Sequence, residues 1–290
     1  MGAELKRLEG QEALQSAAPL FANWQETLIW SALEGCMGGV YALAQAGQPA
    51  AALCACADFV FLSGTDGGEA RRLLEAWKRM NGGGYAILAV RPKRLERLAE
   101  QVFGADAQRT QRYAFEKSNG GFDRERLQAL AEQLPEGVSL RLFDGALYKL
   151  AMRLPWARDF CSQFRNERDF LTRGLGVAAL KDGELVGSAS SYTVYSGGVE
   201  IQVQTRRDMC RQGVATACCA KLILQCLARG WHPSWDAANA ASVGLAKKLG
   251  YRESGPYTAW ELYPSALDER MKPAPQESGP GNPVPVSEAE

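Results

Sequence analysis

Residues 214–229, VATACCAKLILQCLAR, constrain the fold of this chain more than any other stretch. Their polar residues Lys221, Gln225 and Arg229 fall four apart, so a helix here has one narrow wet stripe and is apolar around the rest of its circumference. Such a helix is a nearly buried cylinder and needs sheet and helices around it. Gly213 opens it, Gly230 is a natural C-cap, and the loop before it carries Arg206, Arg207 and Arg211.

The flanking segments supply the sheet. VSLRLF (138–143) reads as a strand, followed by helical stretches at 144–153 and 157–170. GLGVAALKDGELVGSASSYTV reads as a hairpin, with Asp182-Gly183 giving the positive-φ turn. A turn at Ser196-Gly197-Gly198 leads into VEIQVQT (199–205), which makes an antiparallel meander. After the helix come a strand at 233–237, a helix 240–249 capped by Asn239 and ended by Gly250, and a last strand in YRESGPYTAWELY. A strand–helix–strand passage is a right-handed crossover, so 199–205 and 233–237 run parallel.

Residues 1–135 form a second α/β unit. GGVYALA, ALCACADFVFLSG, YAILAV and RYAFEK are candidate strands, and 67–80, 92–103 and 123–133 candidate helices. From 51 to 117 the order is strand, Gly-rich loop, helix, strand, helix, strand, which repeats 199–263 and suggests a divergent internal duplication. The expected organisation is an N-terminal α/β domain (1–135), a second domain (136–263) and a Pro-rich disordered tail (264–290).

Composition excludes several function classes. Thirty-three basic residues balance thirty-three acidic ones, which argues against a nucleic-acid or membrane-surface binder. The N-terminus lacks a signal-peptide core and no run approaches a membrane span, so a cytoplasmic protein is expected. Eight cysteines, with no CxxC pair, sit mainly in apolar segments and read as small buried hydrophobes. With His232 the sole histidine, multi-histidine metal sites are impossible within one chain, and no metal is expected. No G-x-G-x-x-G follows a first strand, which weakens a dinucleotide-dependent reading.

The glycine and the cations point to an anion. A helix N-terminus presents unpaired N–H groups and partial positive charge. At Gly213 the missing side chain allows a phosphate close approach. An ordinary strand-to-helix connection with solvated arginines would look the same, and VEIQVQT helps to choose. Val199, Ile201 and Val203 share one parity, while Glu200, Gln202 and Gln204 occupy the other. A central strand should be apolar on both faces, so the polar face lines a wet or ligand-filled cavity.

These residues carry a resemblance. TRRDMCRQGVATA resembles the pyrophosphate loop of the GNAT acyltransferase superfamily, and WDAANAASVGLAKKLGY resembles its N-x-x-A…GF/GY segment. With NWQETLIWSALEGCMG (23–38) and ADFVFLSG (57–64), most of 18–263 is similar to a two-part GNAT family that includes zwittermicin A resistance-type acetyltransferases. The resemblance implies a GNAT acyl-CoA N-acyltransferase fold, a mixed α/β sheet, in the C-terminal half, with the N-terminal domain a degenerate GNAT-like repeat. It implies acetyl-CoA as cosubstrate, with pantetheine lying where two strands splay apart. By position, Val203, Gln204 and Thr205 would pair with pantetheine amides, and the N–H groups of Arg211, Gln212, Gly213, Val214, Ala215 and Thr216 would hold the pyrophosphate. Asn239 is a further candidate contact, although its role as N-cap already explains it.

Two departures stand out. Cys210 occupies the loop's leading Arg or Gln position, and Ala246 the position of a tyrosine that many relatives use to protonate the departing thiolate. Tyr251 or Tyr257 are the substitutes within reach of the sequence, or no side-chain acid is needed. Glu200 is the first candidate base for an attacking amine and Asp236 the second, each with a structural ion pair or cap as its plain alternative. A backbone N–H of 203–205 would polarise the thioester oxygen, and Cys210, Cys218 and Cys219 read as packing residues. The loop SGTDGGE (63–69) puts Asp66 and Glu69 where a phosphate wants cations, so the first unit is expected to shape the acceptor pocket or serve as scaffold. Two functions stay open: an N-acetyltransferase acting on a small-molecule primary amine, and a non-catalytic acyl-CoA-binding or sensor module.

Overall fold

A computed structural model describes residues 4–44, 48–118 and 120–263; the expected tail lies outside them. The chain begins with a short strand β1 (Leu5–Arg7), helices α1 (Gln11–Ala17) and α2 (Thr27–Leu33), then β2 (Gly39–Leu43), β3 (Ala51–Cys56) and β4 (Phe59–Gly64). Helix α3 (Gly67–Asn81), β5 (Ala86–Arg91), α4 (Arg97–Phe103), β6 (Ala107–Phe115) and α5 (Arg124–Glu132) follow. The later part comprises β7 (Val138–Leu142), α6 (Gly145–Arg153), α7 (Glu167–Arg173), β8 (Gly176–Lys181), β9 (Glu184–Tyr195) and β10 (Gly198–Thr205). Helix α8 (Val214–Ala228), β11 (His232–Ser234), β12 (Asp236–Ala237), α9 (Ala240–Leu249) and β13 (Glu253–Leu262) complete it.

Several local expectations needed correction. ALCACADFVFLSG is two antiparallel strands, because Ala57 takes a φ of 53° and turns the chain. The helix expected over 157–170 is a short 3-10 turn at 158–160 and then α7, which restarts at 167 because the Asn166 side chain accepts from the Asp169 N–H. Asp182 and Gly183 do take positive φ, 51° and 81°, in the β8–β9 hairpin.

Two sheets result. One runs β11-β10-β9-β8-β7, and the other β1-β2-β3-β4-β5-β13-β6-β12. The eight-stranded sheet draws on both sides of residue 135: β6 pairs with β12, and β13 lies between β5 and β6. The final strand, expected to complete the sheet that holds 199–205, therefore lies in the other sheet. Leu127 and Leu130 of α5 share the core of α8 with Cys218, Cys219 and Leu222. Helix α8 is buried as its stripe requires, and Gly187 on β9 admits it: a Cβ there would meet Val214 Cγ1 at 2.6 Å.

The two parallel crossovers differ at their strands. β4 and β5 pair over five residues, Phe59↔Ile87 to Ser63↔Arg91. β10 and β11 pair over three, Gly198↔His232 to Glu200↔Ser234, and then separate. The strand expected over 233–237 is interrupted at Trp235, and its second half leaves to pair with β6. A register shift between Glu200 and Ile201, opposite β9, lies where the separation starts; bulges bend strands in this way.

Candidate functional site

Beyond Glu200 the outer edge of β10 has no strand partner and faces a groove of about 370 Å³. Gln202, Val203, Gln204 and Thr205 line one wall, and Asn239, Ser242 and Leu245 of the α9 region the other. Ala215, in the first turn of α8, closes one end, and Asp236 lines the other. The buried Thr205 Oγ1 has no hydrogen-bond partner.

The first turn of α8 is chemically open. No side chain caps it, whereas α3, α5, α6, α7 and α9 each receive an Asp or Asn cap. The first bond of the helix runs from the Ala217 N–H to the Gly213 carbonyl; among the described residues, the amides of Arg211 to Thr216 donate to no protein acceptor. Gly213 has φ 89° and Arg211 φ 64°, conformations that turn successive amides to one side. Arg206 is already paired with Glu184 and Asp208, at 2.8 and 2.7 Å, while Arg207 and Arg211 are exposed. This donor set fits a diphosphate, and an unpaired strand edge with an orphaned hydroxyl fits an amide-bearing arm leading from it.

The groove meets a second cavity of about 230 Å³, with Gln202 and Asp236 on the boundary. Glu200 lines this cavity at 4 % exposure. Its Oε2 accepts from Thr27 Oγ1 at 2.5 Å, and its Oε1 has no hydrogen-bond partner. Burial raises its pKa, against the pull of Lys117 and of the Thr27 and Ser234 hydroxyls. Asp236 is differently placed: its Oδ1 binds Arg112 at 2.5 Å and its Oδ2 accepts from Tyr257 Oη at 2.8 Å. Both oxygens are engaged, Oδ1 by a cation, whereas Glu200 keeps one oxygen without a partner.

The structure does not bring Tyr251 to either cavity. Its hydroxyl donates to the Pro233 carbonyl at 2.6 Å, and its ring packs against Phe115, Phe122 and Trp235. Tyr257 is bound to Asp236. Ala246 is fully buried in the core and lines neither cavity. Asn239 lines the groove while its side chain accepts from the Ser242 N–H at 2.9 Å. Cys218 and Cys219 are buried with their thiol pKa values raised by burial, and Cys210 is exposed.

The sequence points to the first unit as a wall of the site without marking which residues of 26–59 and of β6 take part. Glu26, at the N-terminus of α2, is 3 % exposed; burial pushes its pKa up to about 7 despite Lys117, with Asp236 and Glu200 adding to the rise. Lys117 donates to Ser234 Oγ at 2.9 Å. Leu28, Asp58 and Phe59 line the second cavity with Glu200. In the first unit, the matching helix terminus is occupied by its own carboxylates. Asp66 accepts from the Glu69 N–H at 2.6 Å, and Glu69 accepts from the amides of Ala50 and Ala51 at 3.0 Å. Among the described residues, no group of three or more His, Cys, Asp or Glu is arranged to hold a metal ion, and no helix is long and apolar enough to cross a membrane.

Comparison with known proteins agrees with this geometry. A GCN5-related N-acetyltransferase-like protein from Streptococcus suis 89/1591 superposes with a TM-score of 0.79 at 39 % identity, over 87 % of this chain and 98 % of that one. A tandem GNAT protein from the clavulanic acid biosynthesis pathway, at 13 % identity, shares the fold with a TM-score of 0.53, over 91 % and 100 %. An uncharacterised N-acetyltransferase of Bacillus subtilis (strain 168), YdfB, is 26 % identical over 132 residues, 44 % of this chain; the match spans about half (49 %) of that relative's length. A family model described as GNAT acetyltransferase matches residues 18–260, and the chain belongs to that family.

Proposed function

We propose that the protein is an acetyl-CoA-dependent N-acetyltransferase that acts on the primary amine of a small molecule by direct attack. One observation carries the reading: the separation of β10 from β11 after Glu200 opens a groove between the uncapped α8 terminus and a buried, half-unpartnered carboxylate. Bound along that groove, acetyl-CoA supplies an acetyl carbon whose bond to sulfur breaks as its bond to the amine nitrogen forms, the thiol leaving as CoA.

The chain's own residues have distinct parts. The amides of Arg211 to Thr216 hold the diphosphate. The edge of β10 at Val203–Thr205 aligns the arm and offers N–H groups to the carbonyl oxygen. Glu200, with Oε1 unpartnered and Oε2 held by Thr27, accepts the proton that the substrate ammonium loses to become the attacking amine; the second N–H proton leaves with the thiolate, which departs as the thiol of CoA. Asp236 holds Arg112 and Tyr257 in place and is assigned to structure. The segments 1–135 and 136–263 are read as two GNAT-like halves, the first shaping the acceptor cavity through Leu28, Asp58 and Phe59. A cytoplasmic setting belongs to the same proposal.

Ala246 in place of a tyrosine keeps one other reading in view, a coenzyme-binding module without turnover. Thiol release from acetyl-CoA over an amine panel, with calorimetry of CoA binding, separates the two. The transferase reading expects turnover by the natural chain and a loss on the order of 10²-fold or more in Glu200→Gln, with CoA affinity kept. CoA binding without release across the panel would favour the module.

A further inference from the structure

The cavity beyond Glu200 carries more negative charge than the reaction needs. Besides Glu200 and Asp236 it is lined by Asp58 and Asp159. Its one cation, Arg112, is taken up by Asp236 and lies over the Phe59 ring, 4.8 Å from its centroid. Among the described residues neither Asp58 nor Asp159 is in an ion pair.

These two acids form a pole separate from Glu200. Asp58 Oδ2 accepts from Tyr192 Oη at 2.7 Å, and the Asp58 N–H donates to the same hydroxyl at 3.3 Å. Both Asp58 and Asp159 bear electrostatically on Tyr192. Asp159 is exposed and Asp58 half-buried, whereas Glu200 is buried with Oε1 unpartnered. The rest of the lining is mixed: Leu28, Phe59, Ile87 and Ile201 are apolar, and Tyr85 and Gln202 add polar groups. A cavity of about 230 Å³ lies below the ~300–1,000 Å³ of drug-sized ligand sites, so the occupant is small.

A buried acid and a more exposed pair of acids lining one small cavity match a molecule with a cation at each end. We propose that the acceptor is a small aliphatic diamine, its reacting nitrogen at Glu200 and its distal ammonium held by Asp58 and Asp159, with Tyr192 as a positioning residue for Asp58. This rests on the transferase reading for the role of Glu200, but its binding component can be tested separately.

The test compares 1,4-diaminobutane with 1-aminobutane on CoA-saturated protein, by calorimetry and by thiol release from acetyl-CoA. The expected result is tighter binding of the diamine, on the order of tenfold, weakening as salt is raised. That preference should collapse in Asp58→Asn/Asp159→Asn; Asp159→Asn alone, at an exposed position, lowers it without threatening the fold. Equal binding of the two amines by the natural chain, or a preference that survives in the double variant, overturns the proposal. Diamine preference in binding without thiol release would sink the transferase reading and leave the acceptor site standing.

Discussion

Replacing Glu26 by Gln removes a buried carboxyl while keeping its shape, and its effect on stability should depend on pH in one direction only. Burial raises the pKa of Glu26 from 4.5 to about 7. A carboxyl whose folded pKa lies above its unfolded value stabilises the fold fully below the unfolded value, and that contribution is lost as pH rises through the folded one. At ~1.4 kcal/mol per pH unit, the interval from 4.5 to about 7 corresponds to about 3 kcal/mol. The α2 terminus favours the ionised form by no more than about 1 kcal/mol, too little to reverse the sign. Removing Glu26 also relieves Glu200, which it repels, and this works in the same direction.

Urea unfolding of both chains between pH 4.5 and 8.5 reads the effect. Any lost or gained hydrogen bond of the Gln amide is a constant offset, so the informative quantity is the difference between variant and natural chain at each pH. That difference should rise in favour of Glu26→Gln by about 3 kcal/mol across the interval and level off above pH 8. A flat difference would mean that Glu26 stays ionised in the fold, with Lys117 and Arg91 outweighing desolvation. The account of Glu26 as a carboxyl held protonated by burial would then be refuted.

Three further outcomes are expected. In thiol-release assays kcat/KM should fall as pH falls through the pKa of Glu200, and this acid limb should lie above the ordinary carboxylate range, because burial raises that pKa. Gly213→Ala places a Cβ at φ 89°, so a thermal melt should report a loss of about 1–2 kcal/mol and calorimetry a weaker affinity for CoA. Tyr251→Phe should leave kcat intact while costing about 1 kcal/mol of stability, since its hydroxyl serves the Pro233 carbonyl; a fall in kcat on the order of 10²-fold would restore it as the acid.

What the sequence made legible is local, and what it hid depends on partners far along the chain. Glu200 and Gln202 could be singled out because strand parity is a property of the strand alone, and a polar parity on a strand with two neighbours has few explanations. Gly213 and the amides after it were equally readable, since a helix start is written in a few adjacent residues. Trp235 was not: 233–237 has the composition of one strand, and it becomes two because Asp236 and Ala237 pair with Ala114 and Tyr113 instead of continuing beside β10. The same exchange delivers Arg112 to Asp236, turning a candidate base into half of an ion pair. Tyr251 follows suit, its direction set by Phe115 and Phe122. Glu26 and Thr27 lie in a stretch that carries part of the resemblance, but nothing singled them out, because α2 has only seven residues and Glu26 makes no side-chain cap. The groove is thus written in the second half of the chain, whereas several walls of the second cavity come from the first. On the proposed function, two related chains with one groove can differ in acceptor by changes at Leu28, Asp58 or Phe59 alone, positions outside the segments that line the groove.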